Sequence, residues 1–351
     1  MGQRIVRLLQ THIPAAHVIG GSRHPSANAA IQTRVIDYAD PTTFNSGLSG
    51  IHLLIHAAGP FQHDPAPLVR ACIARHIHYI DIAESQEFIQ RVRATAASVA
   101  DCAVILVPGC STVPGLVSCL AQTFTHPAHI TKIDIRLSLG SANPLSTGLL
   151  FSLLRPLGQP AHKLGEPPWF RQLFSLIHLD GHTRQYGNYP IPLSSLLINN
   201  SLPIEQHNIP VTFAVGFDRV FINAFLYLVS FILPHLSDRT LLRACKFSVP
   251  LLRLFWGSVS TIIGSTEGRL TLIARDQASL PVQQIEIKAP SNGLDIPAIT
   301  TVWATQRILL GQSITHTKMQ GCVGLEQLIS AEEAIQHLTQ LEYIIDKKVF
   351  P

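Results

Sequence analysis

Residues 51–84 read IHLLIHAAGPFQHDPAPLVRACIARHIHYIDIAE, and this stretch decides the fold. Ile51 to Ala57 is an apolar run of strand length whose polar members are only His52 and His56, and Ala58-Gly59-Pro60 stops it abruptly. Parallel strands buried on both faces have this composition. Pro65 and Pro67 stand where a first helical turn tolerates proline, Leu68, Cys72 and Ile73 then recur at helical spacing, and Ile77 to Ile82 is a second short strand. The stretch is one strand-helix-strand unit. In open α/β sheets ligands bind beyond the carboxyl ends of the strands, so Ala58, Gly59 and Pro60 occupy the place where a cofactor approaches the backbone.

The chain has 351 residues, enough for two domains, and 14% of them are charged, against roughly 25% in typical soluble domains. Its surface is therefore unusually bare, or partly covered by a partner subunit or lipid. The formal charge of +4 is small and the basic residues form no cluster, which argues against a nucleic-acid partner. Six cysteines are scattered with no C-x-x-C pair, a pattern of reduced cytosolic thiols rather than of a disulfide framework or a zinc site. Gln3, Arg4 and Arg7 interrupt any secretory signal, which points to the cytoplasm.

Working outward toward the N-terminus, MGQRIVRLLQ is an amphipathic helix with Ile5, Leu8 and Leu9 on one side. Gly2 is either its cap residue or the third glycine of a G-x-G-x-x-G fingerprint. On the second reading a strand and two phosphate-facing glycines lie upstream of residue 1. His17 to Gly21 is a short strand followed by Ser22 and Arg23, and Arg34 to Tyr38 is another, ending at Asp37. After the second strand of a doubly wound fold an acidic side chain suits the ribose of NAD and a basic one the 2′-phosphate of NADP. Ser22 and Arg23 favour NADP, unless Arg23 is only a solvated loop residue; Asp37, at the end of the neighbouring strand, is a further cofactor-binding candidate. Val104 to Val107 is a further buried strand, and PGCSTVPG then opens a helix around Leu116 to Ala121. Strands alternating with helices predict a doubly wound parallel sheet in residues 1–127.

Beyond Thr125 the period changes. Residues 131–139, TKIDIRLSL, alternate as in a strand with one wet face, which suits an antiparallel sheet. A proline- and turn-rich segment runs from Gln159 to Pro210, a strand from Pro210 to Gly216, and two alternating strands from Arg269 to Ala289. These predict a second, α+β domain over residues 128–300. The last fifty residues read as helical, with S-A-E-E at Ser330 forming a capping box onto Ile335 and Leu338.

Several short motifs, in order, resemble the saccharopine dehydrogenase-like oxidoreductases: M-G-Q-R-I at Met1, G-G-S-R at Gly20, A-A-G-P-F at Ala57, A-C-I-A at Ala71, Y-I-D at Tyr79, S-T-V-P-G at Ser111, S-T-G at Ser146 and N-G-L-D-I-P at Asn292. The resemblance covers nearly the whole chain. It implies a Rossmann domain, a second domain on an antiparallel sheet, and a C-terminal segment, here residues 301–351, that packs back on the first. It also implies NAD(P)-linked hydride transfer to or from C=N or C=O in a small-molecule substrate. The first strand and first two glycines of the family pattern have no counterpart here, and pyrophosphate binding depends on those glycines.

A nicotinamide against Ala58, Gly59 and Pro60 would be met by ionisable groups from nearby strand ends, and Tyr79, Asp81 and Glu84 are the nearest. Tyr79 and Asp81 are the catalytic candidates, as proton donors to the hydride acceptor; the alternative for Asp81 is a turn residue. Cys110 reads as a small packing residue, since GCSTVPG is not a nucleophile elbow. His178, Asp180 and His182 flank a turn and suggest no metal site.

Val220 to Ser237 contains no Asp, Glu, Lys or Arg. The helices in residues 217–263 are therefore domain core, a homodimer face, or a pair lying in a membrane interface, with Arg239, Arg243, Lys246 and Arg253 placed to meet lipid phosphates. On the interface readings Phe221, Phe225, Leu228, Phe231 and Ile232 are exposed. A rival to the oxidoreductase is thus a non-catalytic or membrane-apposed protein with impaired cofactor binding.

Overall fold

The computed structural model describes residues 1–25, 31–99, 102–125, 129–143, 146–160, 176–179, 182–185, 187–188, 209–291, 293–311 and 320–350. Side chains are described in these stretches except at 176–188, 252–263 and 294. Most of the proline-rich segment 159–210, Asp180 between its two histidines, Asn292 and the side chain of Arg253 lie outside this set. The chain is α/β and divides into two compact units, Met1–Gln122 with Asp295–Ala334, and Thr123–Leu294 with Ile335–Pro351.

The first unit is Rossmann-like. Strands Leu53–His56, His78–Asp81, Ile105–Val107 and Gly321–Cys322 form a four-stranded parallel sheet in that spatial order. Helices cover both faces, and the alternation of side chains along one strand shows it. Ile55 packs toward the cluster of Ile5 and Leu9 from helix Gly2–His12 with Ala298 and Val302 from helix Ile296–Leu309. Its neighbour His56 points the other way, its ring 5.8 Å from that of Phe88 on helix Gln86–Ala97. Arg4 and Arg7 pair with Asp295 at the head of helix Ile296–Leu309, which fixes the first helix along it.

Two features differ from a single continuous sheet and a helical tail. Among the described residues, strands Gly20–Ser22 and Thr33–Val35 pair in parallel only with each other, as a separate two-stranded ribbon. The last fifty residues are not wholly helical, because Ile344–Val349 is a strand on the edge of the second unit's sheet, antiparallel to Pro281–Ala289. Its β-branched residues Ile344, Ile345 and Val349 suit a strand better than a helix. Just before it, helix Ala331–Gln340 starts as its sequence predicts: the Ser330 hydroxyl accepts from the Glu333 amide at 3.2 Å and the Glu333 carboxylate from the Ser330 amide at 3.1 Å.

The second unit is built on six strands, in the order Ile344–Val349, Pro281–Ala289, Gly268–Arg275, Lys132–Leu139, Val211–Phe217 and Gly187–Asn188. All pairings are antiparallel except that of Lys132–Leu139 with Val211–Phe217. The expected alternation is present, with Ile133 and Ile135 buried, yet the other face is not wet: Asp134, Arg136 and Ser138 are buried too. Charges can be buried there because they are paired. Asp134 accepts from Thr212 at 2.5 Å and Arg275 at 2.6 Å, and Lys132 lies 3.0 Å away. Burial alone would raise the Asp134 carboxyl; these donors hold it below its ordinary range.

In the first unit the chain turns after Ile105–Val107 through Gly109, whose φ is +72°. A Cβ there would stand 2.6 Å from Pro114 Cγ and 2.8 Å from Ile89 Cδ1. Gly109→Ala is therefore expected to destabilise the protein by about 2–5 kcal/mol, from left-handed strain and overpacking together. Urea unfolding measures it, and a loss under about 1 kcal/mol would contradict the packing described here.

Candidate functional site

The parallel strands bring the sequence-predicted residues to their carboxyl ends. Strand Leu53–His56 runs into Ala57-Ala58-Gly59-Pro60, where Ala58 and Gly59 are exposed. Met1, at the head of the first helix, and Ala57 and Phe61, on either side of this turn, pack against one apolar cluster. The first amides of a helix have no acceptor within it, and its N-terminus carries partial positive charge. A Cβ on Gly2 would meet nothing within 4 Å, and one on Gly59 would meet only Phe61, no closer than 3.6 Å. The backbone at Gly2 and at Gly59 is thus open to close approach by a ligand. Ser22 ends its strand, and Arg23 follows it, exposed and without an ion pair among the described residues. Asp37 lies just past the adjoining strand, its amide held by the Thr43 hydroxyl at 3.0 Å and its carboxylate accepting from the Ala39 amide.

Beneath this surface lies a buried polar chain. In the sheet register Leu54 stands opposite Tyr79, and His56 opposite Asp81. His56 Nδ1 is 3.0 Å from the Tyr79 hydroxyl. Both residues expected to carry proton chemistry, Tyr79 and Asp81, have no solvent exposure. As placed they cannot touch a substrate, and Asp81 is occupied in turn-making: its Oδ1 accepts from the Gly109 amide at 2.8 Å and the Ala83 amide at 3.0 Å, while its own carbonyl accepts from the Cys110 amide at 2.7 Å. Burial pushes the Asp81 carboxyl up to about 6, against the two amides and the nearby Tyr79 hydroxyl, which lower it. The Tyr79 hydroxyl does not reach hydrogen-bonding geometry on Asp81 Oδ2, which has no partner. His56 is pushed down to about 3, by burial first and by His63 second, and is neutral at physiological pH.

Glu84 behaves differently. It is exposed, yet the protein crowded around it pushes its carboxyl up to about 7. Among the three acids and phenols at this strand end it alone reaches solvent.

Sequence reading missed two elements. One is the ring cluster around His56, in which Tyr38 stacks on His63 at 3.7 Å and Phe61 meets Phe88 edge-on at 5.0 Å; a histidine inside an otherwise apolar strand was its signal. The other is Thr300 and Thr301 on helix Ile296–Leu309, whose hydroxyls donate to the Cys110 carbonyl at 3.1 and 3.4 Å. Cys110 is a fully buried packing residue with its thiol raised by burial. Among the described residues no group of three or more His, Cys, Asp or Glu is placed to hold a metal.

No known family signature matches the sequence, and no curated protein does. Among solved structures the chain is similar to apo saccharopine dehydrogenase (L-Glu forming) from Saccharomyces cerevisiae, with a TM-score of 0.60 at 12% identity over 99% of this chain and 98% of that one. This likeness establishes the fold. The amine dehydrogenase of Mycobacterium smegmatis is more distant, with a TM-score of 0.46 at 10% identity over 94% of each chain.

The raised Asp81 carboxyl has a signed consequence. A folded-state pKa above the unfolded one means that the folded protein holds the proton more tightly, so Asp81 removes stability as pH rises from about 4 to about 6 and costs nothing below that window. Asp81→Asn keeps an acceptor for the two amides and removes the titration. The stability of D81N relative to the native protein is expected to rise by on the order of 1–3 kcal/mol across the window, a difference in which the opposite contribution of His56 cancels. A flat difference in unfolding free energy would show that Asp81 does not titrate as described.

Proposed function

We propose that the protein is an NADP-preferring oxidoreductase, passing hydride between a nicotinamide and a C=N or C=O carbon of a small-molecule substrate. The observation that carries this reading is the open glycine turn Ala58-Gly59 at the carboxyl end of a strand of the parallel sheet, flanked by residues that pack on the same apolar cluster as Met1 at the head of the first helix. Its likeness in fold to a saccharopine dehydrogenase supports it.

The bound cofactor supplies the hydride. The chain's residues bind, orient and exchange the proton. The orphan amides at the start of helix Gly2–His12 and the open backbone at Gly59 suit a phosphate-bearing ligand. Arg23 would meet the 2′-phosphate that distinguishes NADP. Glu84, which reaches solvent and whose carboxyl is pushed upward by the chain around it, would give the proton to the nitrogen or oxygen of the acceptor. Asp81 is a positioning residue: it holds the strand end, and with it the short segment Ile82-Ala83 that carries Glu84, while Tyr79 ties this strand to its neighbour through His56.

Binding of NADPH and NADH, followed by the fluorescence of the reduced nicotinamide, tests the reading. NADPH should bind at least about tenfold more tightly, and Arg23→Ala should remove most of that difference while leaving NADH unchanged. Equal affinities that ignore the substitution would overturn the assignment of Arg23, and failure to bind either nucleotide would overturn the reading as a whole. With a reducible substrate from a panel of ketones, aldehydes and preformed imines, kcat should fall as pH rises through about 7, where Glu84 loses its proton. Glu84→Gln should lower kcat by roughly a hundredfold or more and abolish that limb of the profile.

A further inference from the structure

The helices that follow strand Val211–Phe217 carry an outward face that the oxidoreductase reading does not use. On helix Val220–Val229, Asn223 and Leu226 are buried. Phe221, Phe225 and Leu228 recur at i, i+4 and i+7 on the opposite side, and Phe231 and Ile232 continue past its end. These five large apolar side chains are between 43% and 64% exposed. Single exposed apolar residues are ordinary; a helical face of them marks an interaction surface.

Cations sit in the same segment. Arg219 is exposed immediately before Val220. On helix Asp238–Ile263 the buried stripe is Leu241, Cys245 and Val249, while Arg239, Arg243, Lys246 and Phe247 occupy the other side at i, i+4, i+7 and i+8. None of these four cations has an ion pair among the described residues. From Arg219 to Leu251 the one acidic residue is Asp238, and it is already paired with Arg155 at 2.5 Å.

That charge distribution selects the occupant. A two-fold interface would bring the same patch against itself, gathering the cations of both copies with no acidic residue in either segment beyond the already paired Asp238. An anionic surface that accepts both apolar and cationic groups has no such conflict. Among the described residues no helix is long and apolar enough to cross a membrane, so the contact is one of lying on the surface. We propose that residues 219–251 form a peripheral docking site for an anionic phospholipid bilayer, with Phe221, Phe225 and Leu228 entering the headgroup boundary and Arg219, Arg239, Arg243 and Lys246 meeting lipid phosphates.

The full chain is tested by co-sedimentation with vesicles of phosphatidylcholine containing phosphatidylserine and with vesicles of phosphatidylcholine alone. The expected result is binding to the anionic vesicles that weakens as salt rises, and little to the neutral ones. Each juxtaposed cation contributes about fivefold, so the triple variant R239E/R243E/K246E should lower binding by at least a hundredfold. Phe225→Asp should lower it by roughly tenfold or more with the charges intact. All of these side chains are exposed, and unchanged thermal unfolding confirms that the variants remain folded. Absence of binding to anionic vesicles at any salt overturns the proposal, as does binding indifferent to both variants. So does sedimentation equilibrium showing a stable dimer that Phe225→Asp dissociates, with no lipid binding.

Discussion

The first unit hangs on the carboxylate of Asp81. An ionisable group with no exposure is costly to keep in the interior; here Oδ2 has no partner among the described residues, but Oδ1 gathers two backbone amides from different segments while the peptide carbonyl of the same residue takes a third. The result ties the end of strand His78–Asp81 to the glycine turn at Gly109 and sets Cys110 where Thr300 and Thr301 reach its carbonyl. Three stretches far apart in sequence are thereby fixed around one side chain. The surface turn at Ala58 and Gly59 takes its position from the neighbouring strand, which is in register with this one.

The second unit solves a different problem. Its central strand Lys132–Leu139 alternates apolar and polar residues, and both faces are dry. Hydrocarbon packing serves Ile133 and Ile135, whereas the other face is held by charge pairing. Asp134 gathers Thr212, Arg275 and Lys132, and Glu286, with no exposure, stands 3.4 Å from Arg269 and 3.8 Å from Lys288. Breaking one member of such a set leaves a partner charged and buried, which is far more damaging than never having had the pair.

Much of this was legible in the sequence. The strand-turn-helix-strand reading of residues 51–84, the two helices after Phe217, the capping box at Ser330 and the exposure of Phe221, Phe225, Leu228, Phe231 and Ile232 all rest on local periodicity or local hydrogen bonding. What periodicity does not carry is the partner across the fold. Alternation in residues 131–139 marks two faces but not what covers them, so the polar one read as wet. Asp81 and Tyr79 do stand at a strand end, but their burial depends on elements distant in sequence, so periodicity does not show that both point inward while Glu84 does not. The separation of the Gly20–Ser22 ribbon from the larger sheet is likewise a matter of which strands pair. The terminal strand Ile344–Val349 escaped because its Asp-Lys-Lys centre breaks any apolar pattern, as suits a charged sheet edge.

The two units are interleaved in the chain: the first draws on Asp295–Ala334, and the second on Ile335–Pro351. During synthesis the ribosome therefore releases most of both units before either is complete. Helix Gly2–His12 waits nearly three hundred residues for helix Ile296–Leu309, on which Ile5 and Leu9 pack, and strand Pro281–Ala289 keeps an open hydrogen-bonding edge until Ile344–Val349 emerges. Contacts this distant close slowly, and an apolar helix or bare strand edge left waiting is what chaperones bind and aggregates recruit. Completion of both units therefore waits on residues 295–351, rather than following the order in which the units begin along the sequence.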